Sequence, residues 1–490
     1  MVGGLVTVEK EWWPSQNNGA PLQESAAMMV LKVTTLKIEQ VPDNKANMNL
    51  VLVVDTSGSM GWYNRLDKVK RAMKGILRGD WLPGTGKKGD AWVREADWVS
   101  IITFSDTAQV KLDMKPLSVH GKKLDEIVDG LQAGGWTNMQ DGLEKAVKVI
   151  EDLKKNPINK FHIPAIILLS DGAENNGSKA MDVDVSRVLV DTIGFGSKHD
   201  DKVLAAISKN SARGTFHSVT DVNDNGLLQA LSPQLDFLKH IVATDLVVTV
   251  QVHRGLRRSE QSGTKNPEEW YEPKHIELPT VRYLHDDMTY RFWVPFLLAP
   301  PTGDGKDEIV FTYYWTYKAM VGREKNLSVK KKQDVMRTNP PRTRALIMGG
   351  SAGDVGGDQE MPKAIRTEET RRNHLQMIKQ VKKHADDDDL VKAKAMLAEG
   401  LNILHQLLCL TDYQVSRKAI THMYFEVEGL LDAVDSADEY KSCGHGYVAA
   451  CISSHEQQRH VARGDAACRV RLFCNERMND YLNQAMELDI

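Results

Sequence analysis

The chain has 490 residues, with 63 Lys plus Arg against 66 Asp plus Glu, and so a formal charge of −3. At ~150 residues per domain this leaves room for about three domains, and 41% hydrophobic with 26% charged residues is globular composition that argues against wholesale disorder. The near-neutral balance removes the electrostatic footprint of a general nucleic-acid binder, and five cysteines are too few for a disulfide scaffold. An odd cysteine count fits a reducing compartment, and no apolar run approaches the ~18 residues of a membrane span. The first ten residues have neither a basic region nor a sustained apolar stretch, so the expectation is a soluble, cytoplasmic protein with no signal peptide.

Residues 1–26 read as a polar lead-in, and residues 27–42 contain one β-rich run (MMVLKVTTLKIE). From 47 to 240 the character changes. Residues 50–55 (LVLVVD), 98–104 (WVSIITF), 165–170 (AIILLS) and 188–193 (VLVDTI) are short apolar runs, as strands buried on both faces require. Between them lie helical stripes. Leu66, Val69, Met73, Ile76 and Leu77 share a face, as do Leu124, Ile127, Val128 and Leu131. Met139, Leu143, Ala146, Val147 and Ile150 give a third stripe, and Leu227, Leu228, Leu231, Leu235 and Leu238 the last. Strands alternating with helices predict right-handed βαβ units: an α/β fold with a doubly wound, mainly parallel sheet.

From 241 to 340 the period becomes two, with Val248, Val250 and Val252 in one run and Phe311, Tyr313, Trp315 and Tyr317 in another. This predicts an antiparallel, sandwich-like β domain, and the lone strand at 27–42 is expected to pair into it. Pro340-Pro341 and the Gly-rich stretch following them make 341–360 a linker, and 361–460 a mostly helical module followed by a tail, 461–490. The run Asp386 to Asp389 is placed at a helix start, where the dipole favours negative charge, and no EF-hand spacing follows it.

The chemistry concentrates at strand ends of the α/β region. Strand one closes in Asp55-Thr56-Ser57-Gly58-Ser59, an Asp-x-Ser-x-Ser loop. Two other loops should reach the same edge: Gly134-Gly135-Trp136-Thr137-Asn138 and Ser170-Asp171-Gly172. Together they offer two carboxylates and three hydroxyls, with no sulfur or imidazole, a donor set for a hard cation: Mg²⁺, with Mn²⁺ or Ca²⁺ as alternatives. Each fragment alone is ordinary turn and helix-capping chemistry. The three together, each after its own expected element, carry the reading.

These residues resemble the metal-ion-dependent adhesion site of the von Willebrand factor A (vWA) domain. The match covers Asp55, Ser57, Ser59, Thr137 and Asp171 in family order. The resemblance implies a six-stranded, Rossmann-like sheet, with Ser57, Ser59 and Thr137 on the ion and Asp55 and Asp171 holding it directly or through water. Residues 78–97 look like an insertion. Residues 446–459 (GYVAACISSHEQQR) resemble the tail of plant vWA proteins that usually carry a RING finger. In that family a β region and a helical module related to the inter-α-trypsin inhibitor heavy chain follow the A domain. A RING finger needs eight paired Cys/His ligands, and no cysteine precedes Cys409, so ligase activity does not carry over.

Other signals weigh less. Gly349-Gly350-Ser351-Ala352-Gly353 fits the nucleophile elbow literally, but its flanks are a Pro-Pro break and a second Gly-rich stretch. Residues 83–88 lack a phosphate loop's first glycine and its Ser/Thr. Cys443, His445, Cys451, His455, Cys468 and Cys474 include no Cys-x-x-Cys pair and read as buried thiols with a satisfied histidine. Trp62, Tyr63 and Trp136 flank the site loops and are candidates for an apolar rim around a docked partner, with packing against neighbouring loops as the alternative.

The sequence thus points to a non-enzymatic protein-protein interaction module that binds an acidic residue of a protein partner through a divalent cation. It points away from nucleic acid, membrane and small-molecule substrate. One alternative is a RING-less subunit or competitor in a ubiquitin ligase pathway; a weaker one is a serine hydrolase using Ser351.

Overall fold

The computed structural model describes residues 6–13, 25–35, 46–79, 91–155, 162–176, 179–196, 199–220, 226–253, 256–258, 274–298, 308–321, 328–337, 363–409, 417–463 and 470–487. The strands in chain order are β1 (Val6–Trp13), β2 (Ser25–Thr35), β3 (Met48–Asp55), β4 (Trp98–Phe104), β5 (Ala108–Pro116), β6 (Ile163–Ser170), β7 (Leu189–Phe195), β8 (Phe216–Val219) and β9 (Ile241–Val252). They continue with β10 (Leu256–Arg258), β11 (Lys274–Glu277), β12 (Val281–His285), β13 (Thr289–Leu298), β14 (Glu308–Ala319) and β15 (Ser328–Arg337). The longer helices are α1 (Arg65–Arg78), α2 (Leu117–Asp129), α3 (Met139–Lys154), α4 (Asp201–Asn210) and α5 (Gly226–Lys239). After them come α6 (Lys363–Asp386), α7 (Leu390–Cys409), α8 (Arg417–Ala433), α9 (His445–Gln457) and α10 (Glu476–Glu487).

The chain divides into two compact units. One comprises residues 1–44, 242–372 and 413–416, the other 45–241, 373–412 and 417–490.

The first unit holds two antiparallel sheets, ordered β1-β2-β13-β10 and β11-β9-β14-β15, with β12 on β9. β2 pairs antiparallel with β13 from Thr34↔Thr289 to Ser25↔Leu298, so the strand that is isolated in sequence is central in its sheet. Period-two burial follows the pleat: Leu246, Val248 and Val250 are buried, and so are Tyr313, Trp315 and Tyr317. The Tyr313 hydroxyl lies 3.3 Å from the Val8 carbonyl of the other sheet, so this aromatic row fills the core between the sheets.

The second unit is built on one sheet ordered β5-β4-β3-β6-β7-β8, parallel except for β5. All eight residues of β3 are buried, which explains its unbroken apolar run. Strand order reverses between β3 and β6, so the crevice for a ligand opens at their carboxyl ends. Helices α3 and α4 pack on the sheet through Leu143, Ala146, Ile150, Leu204 and Ile207, and the same core takes in Ala449, Ala450 and Val461.

Residues after 372 therefore do more than follow the sheet in sequence. Arg459 makes a two-pronged ion pair with the fully buried Asp191 of β7, Nη1–Oδ1 and Nη2–Oδ2 both 2.9 Å. Ser453 Oγ accepts the Phe216 N–H of β8 at 2.9 Å. The Ser-Ser-His-Glu-Gln-Gln-Arg segment is thus a strap along the β8 edge. The segment read as a tail carries α10, whose Met478, Leu482 and Ala485 are buried. Asp389 accepts the Lys392 N–H at 3.2 Å at the start of α7, satisfying a free donor of that helix. Ser351, residues 80–90, the Gly-rich linker and Cys468 lie outside the described residues.

Candidate metal centre at the ends of two central strands

β3 delivers Asp55 and β6 delivers Ser170 and Asp171 to the two sides of the strand-order reversal. Asp55 is fully buried; its Oδ1 accepts the Ser57 N–H at 2.8 Å and its Oδ2 accepts the Ser170 hydroxyl at 2.6 Å. Burial pushes its pKa up to about 6; the bonds from Ser170 and Ser57 pull the other way, and Asp171 adds a small upward push. No cation is among these influences. This is a carboxylate whose charge is poorly compensated by its protein neighbours.

The loops are stitched together by backbone bonds. Gly58 N donates to Gly135 O at 3.1 Å and Gly134 N to Thr56 O at 2.8 Å, so the Asp-x-Ser-x-Ser loop and the Thr137 loop hold one another. Gly135 takes φ +81, a left-handed conformation glycine adopts without a Cβ penalty, and a Cβ there would meet Asp106 Oδ2 at 2.4 Å. Thr137 N donates to Asn175 Oδ1 at 2.7 Å and Asp106 Oδ1 accepts the Trp136 N–H at 3.1 Å. These bonds fix the direction in which Thr137 and Trp136 leave the backbone.

The three hydroxyls converge. Ser57 Oγ and Ser59 Oγ are 3.2 Å apart, and Ser59 donates to Asp171 Oδ1 at 2.7 Å. A Cβ built on Gly172 would lie 3.6 Å from both Ser59 Oγ and Thr137 Oγ1, in ordinary contact with each, so these two hydroxyls flank the same point at the end of β6. Ser57, Thr137 and Asp171 are buried, while Trp62, Tyr63 and Trp136 are 54%, 71% and 63% exposed. All five expected ligand residues thus lie in one cradle, and the three aromatics stand in solvent beside it. An all-oxygen set with two carboxylates, one of them poorly compensated, fits a hard divalent cation.

Two contributors were not singled out from the sequence. Ser170 belongs to the Ser-Asp-Gly turn at the end of β6, and its hydroxyl anchors Asp55. Arg65, 1% exposed, places Nη1 2.6 Å from Asp171 Oδ2. A cation opening a helix opposes the helix dipole, but nothing local in the sequence points to Asp171 as its partner.

Residues 49–234 match the family described as von Willebrand factor type A domain. This part of the chain is a vWA domain. Homology extends to the Arabidopsis thaliana "E3 ubiquitin-protein ligase WAV3", 33% identical over 134 residues, 27% of this chain and 16% of that protein. "Probable E3 ubiquitin-protein ligase WAVH2" of the same plant is 28% identical over 143 residues, covering 28% and 17%. Mouse "Calcium-activated chloride channel regulator 1" is 30% identical over 184 residues, covering 37% and 18%. The chain therefore spans under a fifth of the length of each of these relatives. Among solved structures, "von Willebrand factor type A from Catenulispora acidiphila" aligns over 92% of this chain and 96% of its own with TM-score 0.57 at 14% identity, which speaks for the fold alone. vWA domains commonly mediate protein-protein interaction and often hold a divalent metal. Among the described residues no helix is long and apolar enough to cross a membrane.

A second cluster has metal-ligating residue types and a different character. His374 Nε2 and His455 Nε2 each lie 2.8 Å from Glu426 Oε2, and Arg463 Nε lies 2.9 Å from Glu426 Oε1. Burial alone would raise the Glu426 carboxyl, but His455, Arg463 and His374 drive it well below the usual range. Arg463 neutralises this carboxylate from within, so the cluster is a closed ion network pinning α6, α8 and α9. Cys451, fully buried, has its thiol pushed well up by burial and by Glu426, the state of an inert core thiol.

Proposed function

We propose that the vWA unit is a non-enzymatic docking module. Asp55, Ser57, Ser59, Thr137 and Asp171 would hold a divalent cation, Mg²⁺ before Mn²⁺ or Ca²⁺. When bound, the ion supplies an electrophilic position for an Asp or Glu of a protein partner. The observation that carries this is the meeting of the Ser57, Ser59 and Thr137 hydroxyls in one cradle behind exposed aromatics, with a poorly compensated Asp55 beneath. The chain's own residues divide the work: Ser57 N and Ser170 orient Asp55, Asn175 orients Thr137, and Trp62, Tyr63 and Trp136 offer apolar contact to whatever docks. A single ion bridge gives little affinity by itself, so the rim must supply most of the affinity and the choice of partner.

A second reading is favoured by the two Arabidopsis relatives named as ubiquitin ligases: the same module presents or competes for substrates in a ubiquitin ligase pathway. Affinity capture tests both. Bait chains are wild type and Asp55→Ala/Ser57→Ala, each with Mg²⁺ or with chelator. Partners held only by wild type with Mg²⁺ support the docking role, and ubiquitin-pathway proteins among them support the second reading. A partner set indifferent to both treatments contradicts the first.

A further inference from the structure

Arg65 is an unusual residue to find under this cradle, and the chain accepts three costs to put it there. Tyr63 and Asn64, immediately before it, take φ 53 and φ 56, left-handed conformations that are strained for side chains bearing a Cβ. Arg65 opens α1, where the helix dipole repels a cation. Its long side chain is also buried to 1% exposure. Against these stands a contact of high quality: Nη1 at 2.6 Å from Asp171 Oδ2, between side chains 2% and 0% exposed. The guanidinium carbon also sits 5.4 Å from the centre of the exposed Tyr63 ring, which covers it on the rim side.

The two carboxylates of the cradle are therefore not equivalent. Among the described residues the donors to Asp55 are neutral: the N–H and hydroxyl of Ser57 and the hydroxyl of Ser170. Asp171 accepts from neutral Ser59 on one oxygen and from the Arg65 cation on the other. Two other carboxylates near the loops are turned to backbone donors. Asp106, exposed to solvent, accepts from Trp136 N, and Glu174, half-buried, accepts from Gln140 N and Ala180 N. Asp55, Asp171 and Arg65 together carry one negative charge, so a divalent ion brings the filled cradle to one positive charge.

We propose that Arg65 is a built-in counter-cation of the ion site, loosening its hold on the divalent ion and leaving the filled site one positive charge that an incoming carboxylate neutralises. Without Arg65 the filled cradle is neutral. The ion is then held more tightly, and a carboxylate gains less by joining it. This rests on the docking reading above and adds to it a residue outside the five-residue motif, with a defined sign for each effect.

The test uses the full chain and Mn²⁺ as probe, with free Mn²⁺ read by electron paramagnetic resonance. Carboxylate access to the filled site is read by the relaxation of acetate methyl protons. Arg65→Gln keeps a hydrogen-bond donor and drops the charge; Arg65→Lys keeps the charge. Expected results are Mn²⁺ affinity about tenfold tighter in Arg65→Gln and within about threefold of wild type in Arg65→Lys. Acetate relaxation should be weaker in the Gln variant alone. A merely structural arginine would not move the two readouts in opposite directions. Arg65→Gln binding Mn²⁺ no tighter than wild type overturns the proposal while wild-type uptake leaves the docking reading standing; no uptake by wild type overturns both. Should Arg65→Gln lose its circular-dichroism melt without ion, the melt is read with Mn²⁺ present: a Mn²⁺-induced rise in melting temperature larger than wild type's supports the proposal, and an equal or smaller rise overturns it.

Discussion

Two buried carboxylate clusters in the same unit are built on opposite principles. Around Glu426 an arginine and two imidazoles surround one carboxyl and drive its pKa well below the usual range. Around Asp55 the neighbours are a hydroxyl and an N–H, burial dominates, and the pKa rises to about 6. A carboxylate neutralised by its own chain serves the fold; one left short of positive charge at a strand-order reversal is poised for charge from outside. Residue type does not distinguish the two, since the histidine-rich cluster has the more familiar set of metal ligands.

The contrast is sharpest in Glu426→Ala. Removing that carboxylate strands Arg463 in the core without its counter-ion, and the expected loss is about 3–5 kcal/mol of unfolding free energy in a denaturant titration. A loss under about 1 kcal/mol would mean the network is not the pin described here.

Next in size is the acid sensitivity of a buried histidine elsewhere in the same unit. His199 is fully buried, and desolvation first, with His445 adding, lowers its pKa to about 4. Its Nδ1 lies 2.6 Å from Gly196 O, a bond the neutral ring donates. Because the folded pKa lies below the unfolded one, the unfolded chain binds the extra proton. The contribution is whole above about 6.5 and drains away as pH falls towards 4, by up to about 3 kcal/mol. The stability gap between wild type and His199→Asn should shrink across that window; a gap constant with pH would contradict this.

Asp55→Asn tests the open cluster with the opposite sign. A raised carboxyl pKa means that charge costs the fold, so ion-free stability falls as pH rises from about 4 through 6. Asn at this position should therefore match or exceed wild-type stability near pH 7 by up to about 3 kcal/mol, while ion uptake is lost. Thermal melts that instead drop well below wild type would show Asp55 to be structural.

The smallest stability effect belongs to Trp136→Ala. The side chain is 63% exposed, so the melt should move by no more than about 0.5 kcal/mol while partner capture weakens. Unchanged capture would take Trp136 out of the rim.

What the sequence displayed follows from burial. LVLVVD, WVSIITF and AIILLS announce themselves because both faces of each strand are covered, and the five site residues stand directly at the ends of such elements or before a helix. β5 was silent, since it is an edge strand with only Ala108 and Leu112 buried, and its alternation is mostly polar. β8 has four residues, too short for any period to register. Arg65 was hidden because its partner lies 106 positions away, and the merging of residues after 372 with the sheet was hidden because the Arg459–Asp191 pair spans 268. Patterns within a turn or two of chain can be read directly; pairings set by the sheet's topology need the fold.

The measurement that bears most directly on the central claim is calorimetric titration of Mg²⁺ into the wild-type chain and into Asp55→Ala/Ser57→Ala. The account predicts saturable uptake of one ion per wild-type chain and none by the folded double variant. Equal uptake by the two chains, or no uptake by wild type, would contradict it.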